Sequence, residues 1–273
     1  MRGRLRNLKQ WGTAKTLAML QRHILARRFR LVVVTGLKRS GNHVFINWLM
    51  AQSPGHCLFR KHIARQCYPL RGGWPEMRLV GSIGMPSFVF SYEDRAKEDI
   101  LRGGLADFIS DHGERIVEQH LCIALRDPRH LMASRFRKWP EERADSGRSD
   151  ATLALWRAHL DTARHGGAVA GFNVVPVWYS SFVDDPDWRD ELADRLRIRR
   201  GTRGLGTIPH QGHGSSFGET GATPGEGVSE RWRAYADDPA FARLFADGGL
   251  DEETARAARD LGSGAVVSTE TSQ

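Results

Sequence analysis

Leu31-Val32-Val33-Val34-Thr35-Gly36-Leu37-Lys38-Arg39-Ser40-Gly41-Asn42-His43 is the stretch whose reading decides the fold. Leu31 to Thr35 is rich in β-branched side chains and shows no polar alternation, the pattern of a strand buried on both faces. Gly36 ends it, and an apolar pattern of helical period follows from about Asn42 to Gln52. In a strand, tight turn and helix joined in that order, backbone N–H groups and the helix N-terminus point at one place, where an anion is stabilised. Gly36 and Gly41 have the G-x-x-x-x-G spacing that lets a backbone curl closely around a phosphate. Lys38 and Arg39 add two cations inside the turn, so the expected ligand group is phosphate or sulfate. A Walker A loop would continue with Lys and then Ser or Thr, whose hydroxyl ligates magnesium; Asn42 and His43 stand there instead, which disfavours a magnesium-dependent nucleotide hydrolase. His43 also fits a helix-face residue that only caps or packs.

A second unit of the same kind follows at Gln119 to Leu125, then Arg126-Asp127-Pro128, then a helix carrying Leu131, Met132 and Phe136. Asp127 is placed to be its N-cap and Pro128 its first helical residue. Ser87 to Tyr92 reads as another strand, and Val174 to Tyr179 as a fourth that Pro176 weakens. Strands separated by helical stretches imply crossovers, so the expected fold is α/β: a single P-loop-like domain with a mostly parallel sheet and helices on both faces. Ligands of such sheets sit at the C-terminal ends of the strands.

The arrangement along the chain is a basic amphipathic arm over 1–30, the α/β domain over 31–261, and a flexible tail over 262–273. The arm carries nine basic and no acidic side chains, with Leu5, Leu8, Trp11, Leu17, Leu20 and Ile24 at roughly helical spacing. It either packs on the domain with a solvated basic face or makes weak contact with a membrane surface or partner. Residues 201–229, rich in Gly, Ser and Thr, are too long for an ordinary connection and read as a functional loop or a disordered one. Of the 40 Lys and Arg, 15 lie before the first acidic residue, Glu76, so the net charge of +8 is concentrated at the front and an anionic partner should meet that part. No apolar run reaches the roughly 18 residues that a membrane-spanning helix needs, and no signal-peptide pattern opens the chain, so it is expected in the cytoplasm. Cys57, Cys67 and Cys122 have neither disulfide-framework nor metal-pair spacing and read as reduced and structural.

The stretch Lys38-Arg39-Ser40-Gly41-Asn42-His43 resembles the sulfate-donor loop of the sulfotransferase superfamily, usually P-K-S-G-T-T or P-R-S-G-T-T. Lys38 stands for the proline and Asn42 and His43 for the two threonines. A second element is similar too: Arg126, with Ser134 eight residues later, matches the family's Arg and Ser that bind the 3′-phosphate of the donor, 3′-phosphoadenosine 5′-phosphosulfate (PAPS). Arg126 also fits a plain partner of the Asp127 cap. The resemblance implies transfer of a sulfuryl group from PAPS to a hydroxyl or amine, leaving PAP, with no metal and no nucleic acid involved.

Further site residues follow from it. Lys38, Arg39, Ser40, Gly41, Asn42, His43, Arg126 and Ser134 would hold the donor, with Arg39 and Lys38 stabilising charge during transfer. Tyr179, in Tyr179-Ser180-Ser181-Phe182, and Phe217, in Ser215-Ser216-Phe217, resemble segments around the adenine, which makes Ser216 a donor contact as well. Arg231 matches a late basic residue that closes over the 3′-phosphate. Glu93, following the strand 87–92, is the expected general base; His62 and Asp94 are second choices, and a solvated turn carboxylate is the plain alternative. Residues 53–86, with His56, Arg60, Lys61, His62, Arg65 and Trp74, are expected to line the acceptor site, for a carbohydrate or small alcohol. The competing functions are a nucleotide kinase or other phosphotransferase, and a non-enzymatic protein that binds nucleic acid or anions through its basic front.

Overall fold

The computed structural model describes residues 22, 24–53, 55–61, 63, 67–70, 76–79, 84–166, 168–200, 204–205 and 228–262. Leu31 to Thr35 lies within β1 (Phe29–Gly36), every residue of which is buried. Leu31 and Val33 enter one core and Val32 and Val34 the other, so both faces are covered and the sequence has no polar alternation to show. Each such aliphatic side chain contributes roughly 1.5–3 kcal/mol by leaving water.

Six further strands join it among the described residues: β2 (His56–Arg60), β3 (Glu76–Leu79), β4 (Ser87–Glu93), β5 (Ile116–Leu125), β6 (Ala168–Val169) and β7 (Phe172–Trp178). The sheet order is β3-β2-β4-β1-β5-β7-β6. The five inner strands run parallel, and β3 and β6 pair antiparallel at the two edges. The fold is thus α/β with a mostly parallel sheet, as the strand and helix alternation implies.

One face of the sheet is covered by α1 (Asn42–Gln52), α7 (Tyr179–Asp184) and α8 (Pro186–Arg195), whose Phe45, Trp48, Phe182 and Trp188 share a core with Val32 and Val34. The other face carries α2 (Lys97–Leu101), α3 (Gly104–His112), α4 (Pro128–Lys138), α6 (Ser146–His165), α9 (Pro239–Leu244) and α10 (Gly249–Gly262). The short α5 (Pro140–Ala144) links α4 to α6. Asp127 caps α4 by accepting from the Arg129 amide at 2.7 Å, and Pro128 takes the first helical position, as read from the sequence.

The structure differs from the expected boundaries and elements at four places. The arm does not end at residue 30: Phe29 and Arg30 belong to β1 and Ile24 is in the core. Arg30 is 3% exposed because Glu118, at the start of the neighbouring β5, accepts from its Nε at 2.6 Å. Part of the presumed acceptor segment is sheet, with Cys57, Leu58 and Phe59 buried in β2. Tyr179 opens α7 rather than closing the last inner strand. Gly262 is still helical, one residue into the expected tail, whose other residues lie outside the described ones. Among the described residues no helix is long and apolar enough to cross a membrane.

The 20-residue α6 pins two loops at the C-terminal edge of the sheet. Trp156 donates to the Arg126 carbonyl at 2.9 Å, and the His159 Nε2 lies 2.8 Å from the Arg95 carbonyl. That contact assigns the His159 proton to Nε2 and leaves Nδ1 buried without a partner. Burial holds the His159 pKa below its ordinary 6.5, opposed by its bond to Arg95. Burial lowers His120 and His112 as well. The unfolded chain therefore binds protons more tightly at these sites, and stability falls as pH drops through 6.5 toward the lowered folded values. Melting temperature should decline between about pH 7.5 and about pH 5.5, and His159→Gln should flatten part of that slope; a slope unchanged in the variant would contradict the assignment.

Candidate functional site

The chain leaves β1 toward β2 on one side and leaves the adjacent β5 toward β7 on the other. Connections that part in this way open a crevice at the strand C-terminal ends, the place where ligands bind in parallel α/β sheets. The turn 37–41 and the segment Arg126-Asp127 form its two walls.

The turn is built from left-handed residues at two positions, Arg39 with φ 79° and Gly41 with φ 94°. Gly41 is required there, because a Cβ would also overlap the Tyr179 ring. The Lys38 amide donates to Asp94 Oδ1 at 2.9 Å and the Ser40 amide to the Leu37 carbonyl at 3.0 Å. The Gly41 and Asn42 amides, at the start of α1, have no partner among the described residues. Ser40 is 1% exposed and its hydroxyl is likewise unpartnered. Amides and a hydroxyl left in this state at a helix N-terminus suit an anion that accepts from them.

The second motif reaches the same turn. Arg126 Nη1 donates to the Arg39 carbonyl at 3.0 Å, and Arg39 Nε donates to Ser134 Oγ at 2.9 Å. The Arg126 guanidinium also lies 4.8 Å from the centre of the Tyr179 ring. Arg39, Ser134, Arg126, Tyr179 and Gly41 are therefore one contact group. Burial depresses the Arg39 pKa, while the charge of Glu93 works the other way; the guanidinium keeps its charge throughout.

Glu93 closes β4, with its side chain 6% exposed. Its Oε1 accepts from Asn42 Nδ2 at 3.1 Å and lies 3.8 Å from His43 Nε2. Asn42 also donates to the Leu37 carbonyl at 3.1 Å, so one amide ties helix, turn and strand end together.

Sequence reading missed the group that holds the turn from behind. Asp94 Oδ1 accepts from the Lys38 amide and from Arg135 Nη1, both at 2.9 Å, and Arg135 donates to both oxygens of Glu142 at 2.7 and 2.6 Å. Burial opposes the Arg135 charge, but its bonds to Glu142 and Asp94 outweigh this and raise its pKa. Nothing in the spacing of 94, 135 and 142 announces that triad, since its members come from three separate elements. Lys38 is 43% exposed, 3.7 Å from Asp94 and 5.9 Å from the Trp139 ring.

Of the remaining expected residues, Ser216 and Phe217 lie outside the described ones, as do His62, Arg65 and Trp74. Arg231 falls in the 3-10 turn Val228–Tyr235, with its side chain outside the described residues. Trp232 in that turn stacks on Arg129 at 5.1 Å, and Arg129 Nε donates to Asp251 at 2.8 Å, which joins α4 to the C-terminal helix.

Fold and site together define an α/β protein with a glycine-containing turn at the point where its strand order reverses. No protein-family model and no curated protein matches the chain. Asp94→Ala should destabilise the protein by about 1–3 kcal/mol in urea unfolding, because it strands the Lys38 amide and half the pairing of a buried guanidinium. A change within error would show that Arg135 and Glu142 hold the turn alone.

Proposed function

We propose that this chain is a sulfotransferase that moves the sulfuryl group of PAPS to a hydroxyl or amine acceptor, with a carbohydrate or small alcohol favoured. The observation that carries this reading is the contact of Arg126 and Ser134 with Arg39. Two elements 87 and 95 residues away along the chain bring a guanidinium and a hydroxyl to the turn that would hold an anion. A nucleotide with phosphates at both its 5′ and 3′ positions needs such a pair of neighbouring anion sites, and a singly phosphorylated nucleotide does not.

The residues fit that donor. The turn amides, Ser40 and the start of α1 would take the 5′-phosphosulfate; Arg126 and Ser134, released from Arg39, would take the 3′-phosphate. Tyr179, beside Gly41 and Arg126, would border the nucleoside. As the bond between sulfur and phosphate oxygen breaks, charge builds on the leaving phosphate. Arg39 and Lys38 counter it, and preorganised donors of this sort are typically worth roughly 10²–10³ in rate each. The acceptor must also be held in line with the departing phosphate, a positioning task for the surrounding side chains.

Thermal unfolding with added PAP, AMP or ATP plus magnesium tests the reading. PAP should stabilise the protein selectively, and Arg126→Ala should abolish the preference for PAP over AMP. Arg39→Ala should reduce turnover by about 10²–10³ with a smaller effect on PAP binding. Stabilisation by ATP with magnesium in place of PAP would point to a phosphotransferase, and the sulfotransferase reading would fall.

A further inference from the structure

Leu37-Lys38-Arg39-Ser40 forms a hydrogen-bonded β-turn, in which the Ser40 amide donates to the Leu37 carbonyl at 3.0 Å. Of its two central residues Arg39 has φ 79° and Lys38 an ordinary negative φ, which defines a type II turn. The second central position of that turn normally falls to glycine, which adopts positive φ without strain. An arginine there is relieved when the Lys38–Arg39 peptide turns over, because this converts type II into type I and returns Arg39 to negative φ. Something must therefore hold that peptide. Its carbonyl, that of Lys38, accepts from Arg135 Nη1 at 3.2 Å. Arg126 and Ser134 bond the Arg39 carbonyl and side chain, groups that such a flip leaves in place.

The Arg135 guanidinium is itself fixed. Its Nε and Nη2 donate to Glu142 at 2.7 and 2.6 Å, and the two N–H groups of Nη1 divide between Asp94 at 2.9 Å and the Lys38 carbonyl. Asp94 accepts from the Lys38 amide at 2.9 Å, so both polar groups of the Lys38 backbone are held by one network. The helix that carries Arg135, α4, covers the face of the sheet opposite to α1. A carbonyl drawn toward Arg135 points away from the N-terminus of α1, and the amide of the same trans peptide points the opposite way. In a relaxed type I turn the Lys38 oxygen would take the direction of that amide and set the negative end of a carbonyl dipole beside an anion on the turn.

We infer that Arg135 is a positioning residue that keeps the Lys38 carbonyl turned away from the anion site and so holds Arg39 in a conformation it would otherwise leave. The inference rests on the reading that the turn takes the 5′-phosphosulfate of PAPS, and it adds that Arg135 forms the site before the ligand arrives.

The test joins a conformational readout to a binding one. Selectively labelled at lysine and arginine, the protein should show a strong nuclear Overhauser effect between the Lys38 Hα and the Arg39 amide, which are close in a type II turn and apart in type I. Arg135→Lys should weaken that signal and lower the affinity for PAP roughly tenfold, read from thermal stabilisation. On an Arg39→Gly background, where positive φ carries no strain, the same Arg135→Lys change should alter the affinity by less than about twofold. Should Arg135→Lys not fold, Arg135→Met combined with Glu142→Gln removes the donor together with the carboxylate it pairs, and the same pattern is expected. An unchanged signal in the Arg135 variant refutes the inference whatever the affinity does. So does a loss of PAP affinity that is equal on both backgrounds, which would make Arg135 a structural brace only. A wild-type protein that PAP does not stabilise overturns the sulfotransferase reading and the role given to the carbonyl; the Lys38–Arg39 signal then still decides whether Arg135 holds the peptide.

Discussion

The register of the three central strands is the constraint on which the site depends. Gly36 pairs with Glu93 on β4 and with Ala124 on β5, so three strands end at nearly the same level and their following residues share one small space. Gly36 itself is fixed by that crowding: a Cβ would come 2.6 Å from the Ala124 carbonyl oxygen and 2.7 Å from Asn42 Oδ1. Both distances are far inside van der Waals contact, so a larger residue must part β1 from β5 or push α1 away from the turn. A shift of register by one residue would exchange the two cores of β1 and separate Arg126 from the turn.

Within that space the charged groups divide into two kinds. Arg135 is neutralised by Asp94 and Glu142, and this ion-pair network braces the turn from the sheet side. Arg39 and Arg126 direct hydrogen bonds to the Ser134 hydroxyl and the Arg39 carbonyl across the front of the turn. On the proposed function the same architecture would supply a fixed brace behind the turn and an anion-binding front. The brace is anchored in turn by α6, whose Trp156 and His159 hold the carbonyls at 126 and 95.

Much of the fold was legible because its signals are local. The Leu31 to Thr35 run, the helix 42–52 and the Asp127-Pro128 start of α4 each follow from a few neighbouring residues. The edge strands were not: β3 and β6 are four and two residues long and owe their state to a partner strand. Arg30 read as solvated because charged residues usually are, and the opposing Glu118 and the Arg197 carbonyl make its burial tolerable. In the site, the pair Arg126 and Ser134 entered only through the family resemblance, and the turn was visible as spacing. The Asp94, Arg135 and Glu142 group was not, because it exists only after α4 packs beside β4. Glu93 was visible as the end of a strand, but its cover by Asn42 and His43 depends on how α1 starts.

Arg39 connects these observations energetically. A non-glycine residue at φ 79° is strained by about 1–2 kcal/mol, so the turn keeps this form only while other contacts hold it. In the structure those contacts come from Arg126 and Ser134, the residues that a 3′-phosphate would recruit. On the proposed function, a 3′-phosphate bound at one end of the crevice would loosen the restraint on Arg39 at the other, and a second anion on the turn would have to replace it. A ligand carrying both anions would supply the exchange in one event, whereas one with a single phosphate would leave either the turn or the Arg126 corner without its partner. Discrimination between doubly and singly phosphorylated nucleotides would then be a property of the shared strain as much as of the contacts themselves.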